Sequence, residues 1–282
     1  MSSNRGWLGL LLPSGAIFLS LFALPMAGLL VESFRHYEPG SIGSAADAPF
    51  TIANYTELFT PSFAGFFLQT LRISLAASAT GVVLAFPLAY WMTRRITPLW
   101  RGVALAFFVT LMFLSVLVRT YALELTFGAS GPLRPLLLML GIAPNGRSYI
   151  EFLVGTGLLH YIIPMSTLTL LGTVQSLDPR LTDAAQSLGA PAWKAHYTVT
   201  LPLCARGLLA AFLFAFTFSM SAFVIPMILG KGRVLFISNL IYNRFSEIAD
   251  YPSGAAISIV LFTLAMLIVY VFSAQVSKRW AL

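Results

Sequence analysis

Six stretches of this chain run long enough without a charged side chain to cross a lipid bilayer: Leu8–Val31, Ile73–Thr93, Gly102–Val118, Phe152–Leu177, Gly207–Gly230 and Tyr251–Ser277. Roughly 17–25 helical residues span a hydrocarbon core, and a charge at mid-span costs about 2.5–3.5 kcal/mol on insertion scales. Inside lipid every backbone N–H and C=O needs an internal partner, which turns such runs into helices. The sequence therefore predicts an all-α polytopic membrane protein. Its six transmembrane helices fall at about 8–31, 71–93, 100–120, 152–177, 204–230 and 251–277, in one transmembrane domain covering 1–282. Only 10% of the residues are charged, against about 25% in a soluble domain, so a soluble enzyme, a disordered chain and a disulfide scaffold are excluded. The lone cysteine, Cys204, has no partner for an internal bridge and reads as packing. The three histidines are dispersed, without the spacing of a metal site.

The first run follows Arg5 but is longer than the 7–15 apolar residues of a signal peptide and lacks a small-residue cleavage site before Glu32–Arg35, so it is read as a retained helix. Two apolar patches, Pro135–Ile142 and Val234–Ile241, are too short to span and predict interfacial loop helices. Thr51–Leu58 predicts a short capped turn leading into a membrane-skimming helix, and the Asn54-Tyr55-Thr56 triplet within it is given no weight as a glycosylation acceptor. By span count the N-terminus, the second and fourth loops and the C-terminus share one side. That side carries nine bases (Arg5, Arg94, Arg95, Arg101, Arg180, Lys194, Arg206, Lys278, Arg279) and only two acids, Asp178 and Asp183. Short basic loops stay inside, so both termini of this multi-pass membrane protein are expected in the cytoplasm. Topology then accounts for the net charge of +7, and no basic-aromatic pattern calls for nucleic acid.

The fourth loop, Leu177–Pro202, is built to hold a shape. Asp178 is placed to cap a helix that has Pro179 at its first position, where a missing N–H costs nothing. Gly189 stands where a left-handed residue ends it, Pro191 opens a second short helix to about Thr198, and Leu201-Pro202 is expected to break that helix. The result is a cytoplasmic helix–turn–helix with small residues at its bend (Ala184, Ala185, Gly189, Ala190) beside apolar Leu188 and Trp193. An apolar knuckle with a small-residue crease is a docking surface.

The string Asp183-Ala184-Ala185, Gly189 after three residues, and Val199-x-Leu201-Pro202 after nine more resembles the EAA loop of ABC-importer permeases (E-A-A-x3-G-x9-I-x-L-P), with Asp for Glu and Val for Ile. The likeness runs from about Phe50 to Phe272. It is greatest to spermidine/putrescine-type permeases, through Asn54-Tyr55, Thr70-Leu71-Arg72-Ile73-Ser74, Pro87-Leu88-Ala89-Tyr90, Val118-Arg119-Thr120-Tyr121 and His160-Tyr161-Ile162-Ile163-Pro164. The resemblance implies a type I ABC importer permease fold with cytoplasmic coupling helices. It further implies a second permease, favoured to be a different chain, a cytoplasmic ABC ATPase dimer that holds ATP and Mg, and a periplasmic substrate-binding protein. No cofactor is expected on this chain and no bond chemistry. Asp183, Ala184, Ala185, Leu188, Gly189, Ala190, Trp193, Leu201 and Pro202 are the expected ATPase-coupling residues.

A translocation path is harder to read. Arg119, Tyr121 and Glu124, at the outer end of the third span, either line the solute route or sit solvated and paired at the interface. Met220, Phe223 and Met227 recur at helical spacing in span five and predict a shared face, by default a packed one. His160 reads as a packing residue. Pro87, Pro164 and Pro226 interrupt spans two, four and five, either as flex points or as static kinks; Arg94 and Arg95 read as membrane anchors. Polyamines or a similar small organic solute are the expected cargo, with an opine, a phosphonate-type compound or ferric iron as alternatives. An autonomous secondary transporter or channel would prefer internal repeats or paired intramembrane charges, and an ATPase a G-x4-G-K-[ST] string; the sequence has neither.

Overall fold

The computed structural model describes residues 12–45 and 47–279, with side chains to 275. Arg5, the start of the first span at 8–11 and the side chains of Lys278 and Arg279 lie outside the described residues. In chain order the helices are α1 Leu12–Glu32, α2 Ala53–Glu57, α3 Pro61–Arg94, α4 Pro98–Phe113, α5 Val116–Phe127, α6 Arg134–Met139, α7 Arg147–Gln175, α8 Pro179–Ser187, α9 Ala192–Leu203, α10 Ala205–Ser221, α11 Val224–Leu229, α12 Ile237–Tyr242 and α13 Tyr251–Arg279. Among the described residues there are no strands, only one antiparallel bridge between Arg35 and Phe50.

Four helices, α1, α3, α7 and α13, are long and apolar enough to cross a membrane. Two more crossings arise where bent pairs each count as one span: α4 with α5, turned by 93°, and α9 with α10, turned by 73°. The six apolar runs thus correspond to four straight crossings, or up to six when each bent pair counts as one. The bend after α4 falls at Leu114–Ser115, both in extended backbone. Span five also ends early. Ala222 is extended (ψ 122°), so the helix stops at Ser221 and restarts as α11. Proline is not the breaker: α3 and α7 run unbroken through Pro87 and Pro164, and Pro226 lies inside α11. The two short apolar patches are helical as expected, as α6 and α12.

The chain divides into two compact units, Phe66–Asn239 with Ala265–Leu282, and Met1–Gly65 with Leu240–Leu264. In the first, α3, α7 and α10 supply the core. Small residues on α3, with Ser74, Ser78, Ala85 and Ala89 all buried, let neighbouring backbones approach. A Cβ at Gly81 would come within 2.3 Å of Ile162, and one at Gly207 within 2.1 Å of the Thr173 hydroxyl. Buried Cys204 packs with Met92, Leu170 and Val174. The carbonyls freed by the break in span five are taken up locally: Ser238 donates to Ala222 O at 2.6 Å and the Asn239 amide to Phe223 O at 3.0 Å. Asn239 also accepts from Phe236 N, and Thr70 accepts from Ile237 N.

In the second unit Arg244 bridges Glu57 and Asp250 at 3.1 and 3.2 Å. Asp250 also accepts from Ser253 N and so caps α13. The buried Asn54 amide donates to Ser33 O and Arg35 O, both at 2.9 Å, which makes it a structural tie.

Candidate coupling site

The loop between α7 and α10 folds as two short helices joined at a tight turn. The Asp178 carboxylate accepts from Arg180 N at 2.9 Å, with Pro179 at the first helical position. At the other end Gly189 has φ +89°; its N–H bonds Gln186 O and that of Ala190 bonds Ala185 O, the paired bonds that close a helix at a left-handed glycine. Helix α9 follows Pro191. Leu201-Pro202 does not break it. The turn His196–Thr200 is wound as a π-helix, Leu201 N reaching back to His196 O, and the wider register passes the proline ring on to a bend at Cys204.

The crease between the two helices is held by polar contacts. Thr182 and Thr200 hydroxyls meet at 3.3 Å, and the His196 ring nitrogen lies 3.1 Å from Thr200. His196 also packs edge-on against Tyr90 of α3, centroids 4.7 Å apart. Arg94, read from sequence as an anchor only, donates from one Nη to Val174 O at 2.9 Å and to Leu177 O. It thereby closes the C-terminus of α7, where a cation meets the negative end of the helix, and joins α3 to the root of the hairpin.

What the hairpin presents outward is apolar and unpartnered in this chain. Leu188 is 90% exposed and Trp193 71%. Asp183, Ala184 and Gly189 are exposed as well, with Ala185 and Ala190 half-buried between them. Leu201 and Pro202 turn elsewhere and line an apolar groove of about 900 Å³ with Val82, Phe86, Leu208 and Phe272.

The residues considered for a path do not form one cluster. Met220 is buried (2% exposed) while Met227 is 53% exposed. They do not share a face, because the break at Ala222–Phe223 resets the helical phase that their spacing assumed. Tyr121 is exposed and Phe223 half-buried. Glu124 is paired, with Lys231 at 2.5 Å. Arg119 is neither solvated nor paired. It is 6% exposed, and its Nε and both Nη atoms have no hydrogen-bond partner. Its guanidinium lies 5.1 Å from the centroid of the Tyr161 ring, which stacks on Phe218 at 4.0 Å. A cation–π contact returns about 0.5–2 kcal/mol, less than the several kcal/mol that a buried charge costs. The burial of Arg119 was not legible because its cover, Tyr161 and Ile225, comes from distant spans. His160, expected to be packed, is exposed on α7.

Residues 81–281 match the family described as binding-protein-dependent transport system inner membrane component. The spermidine/putrescine transport system permease protein PotB of Haemophilus influenzae is 32% identical over 226 residues, 79% of each chain. PotB of Escherichia coli is 30% identical, over 78% of this chain and 82% of its own. A permease in the crystal structure of a bacterial alginate ABC transporter, in complex with an alginate pentasaccharide-bound periplasmic protein, superposes with a TM-score of 0.72 at 20% identity, covering 98% of this chain and 96% of that one. The chain therefore has the fold of an ABC importer permease and belongs to the binding-protein-dependent transport system inner membrane component family.

Proposed function

We propose that the chain is the translocation subunit of an ATP-driven importer for polyamines or a similar small organic solute, moved by an ATPase that grips the α8–α9 hairpin. The single observation behind this reading is that hairpin. Its fold is fixed by a cap, a left-handed glycine and Arg94, yet its apex displays Leu188 and Trp193 to no partner in this chain. Apolar anchors on a rigid knuckle suit a cleft in another protein. Work done on the hairpin reaches α3 and α7 through Arg94 and Tyr90. The chain then has no reaction of its own: ATP and Mg sit on the partner, a second permease completes the pore, and a periplasmic binding protein delivers the solute. The likeness to PotB, a spermidine/putrescine transport system permease protein, favours an amine-bearing cargo. The two bent crossings suit a bistable packing that rocks between inward-open and outward-open states.

Affinity purification of the tagged chain in mild detergent, with mass spectrometry of what accompanies it, tests this reading. An ATPase retained by the wild type and lost on Leu188→Asp is the expected result. Gly189→Trp is expected to do the same, but at φ +89° it also strains the turn, so the exposed Leu188 carries the decision. A chain that purifies alone under conditions that preserve related complexes would overturn the reading.

A further inference from the structure

We propose that Arg119 is the contact for an anionic group, a carboxylate, on the solute that this permease passes; this rests on the importer reading above. A guanidinium stays protonated at any physiological pH, so α5 carries a permanent positive charge into the protein. Among the described residues no carboxylate pairs with it. The nearest acid on its own helix, Glu124, is held by Lys231, and the remaining ion pairs engage Glu151, Glu57 and Asp250. All three guanidinium nitrogens are buried and without a hydrogen-bond partner. Five N–H donors in a planar fork fit a carboxylate in bidentate fashion. The molecule supplies the donor half of that pair and omits the acceptor half.

The surroundings indicate when the acceptor arrives. Arg119 lines a cavity of only about 10 Å³, with Gly157, His160, Tyr161 and Ile225 among its walls, room for about one water. The closed cavity therefore admits no solute. Two of its walls are short helices hinged to their spans, α5 at Leu114–Ser115 and α11 at Ala222–Phe223, so they separate without breaking a long helix. A third wall carries His160, exposed in the middle of α7. A polar group at that depth faces protein or a water-filled route in preference to lipid. Arg119 thus lies one layer behind a surface that is wet or protein-lined. A static contact from a second subunit would leave the guanidinium open in this chain, as His160 is; instead its own chain covers it until α5 and α11 move. Of the two cargoes proposed above, a simple polyamine, all cation, would be repelled there, so the solute is the other, a small organic molecule that carries an acidic group alongside its amines.

The complete importer, this chain with its second permease, ATPase and binding protein, is reconstituted in nanodiscs and its ATPase rate measured with three probes of equal chain length: putrescine, 4-aminobutanoate and succinate. Stimulation by a carboxylate-bearing probe, reduced about 10- to 100-fold in Arg119→Gln and less in Arg119→Lys, is expected for the loss of one charged bidentate contact. Stimulation by putrescine alone, or by none of the three, overturns the proposal while leaving the importer reading intact. Loss of the second permease from the purified Arg119→Gln complex also overturns it, since the anion would then be that subunit's side chain. An assembly that never forms defeats the importer reading itself, and this inference with it.

Discussion

Arg94 shows how one side chain converts a membrane anchor into a mechanical joint. Its two bonds to Val174 O and Leu177 O satisfy carbonyls that a helix end leaves free, one residue before the Asp178 cap begins the hairpin. Charged hydrogen bonds of this kind contribute about 1.5–3 kcal/mol each. Arg94→Ala is expected to lower the detergent melting temperature and to cut transport more than it cuts ATPase retention, because the hairpin apex survives while its root loosens. Arg94→Lys should fall between, since both bonds come from one Nη and an ammonium can replace them only in part from its shorter stem. An unchanged melting curve for Arg94→Ala would mean that the side chain is solvated and the joint does not exist. Neither partner carbonyl is visible in the local sequence, where Arg94-Arg95 resembles any cytoplasmic basic pair. Asp178 and Gly189, by contrast, act on residues within three of themselves, and their roles could be read directly from the sequence.

The same division holds among the elements. Charge-free runs mark the spans because hydropathy is a property of consecutive residues, and four of the expected crossings are single long helices, with up to two more if each bent pair counts as one span. Where a span bends is a property of what lies beside it. Proline looked like the breaker, yet α3 and α7 absorb theirs, and the break in span five comes at Ala222–Phe223, where Ser238 and Asn239 stand ready as donors from sixteen residues further on. Asn239 serves two ends at once, donating to Phe223 O and accepting from Phe236 N. Its removal leaves two buried groups unsatisfied, at about 1–3 kcal/mol each. Asn239→Ala should therefore melt several degrees below wild type, and Ser238→Ala, which strands one carbonyl, should melt closer to it. Equal melting temperatures for the two variants would show that water replaces both donors and that the break is held by packing alone.

At the scale of the whole molecule, charge and not packing decides direction. A bundle of apolar helices is close to symmetric across a bilayer, and α1, none of whose most apolar window is buried within this chain, carries no information about which way it points. The Lys and Arg residues break that symmetry. The side with the hairpin, by span count, holds nine bases in short segments and two acids, while the longer opposite loops balance their charges. Both acids of the hairpin side lie in the hairpin itself, Asp178 spent on a helix cap and Asp183 left exposed. The hairpin itself is thus neutral, Arg180 and Lys194 against those two acids, and the excess of base on its side lies in the neighbouring segments. If that polarity sets insertion, a fluorescent protein fused after Leu282 should light up in the cytoplasm, and alkaline phosphatase inserted between Gly43 and Ser44 should be active outside. The reverse pattern would put the hairpin where there is no ATP, and no arrangement of Leu188 and Trp193 would then rescue the coupling reading. A mixed pattern, with both reporters active on the same side, would mean that one bent pair does not cross. The 93° turn between α4 and α5 makes that pair the first to examine, by moving the reporter to Gly141 and asking whether the sidedness of the following loop changes with it.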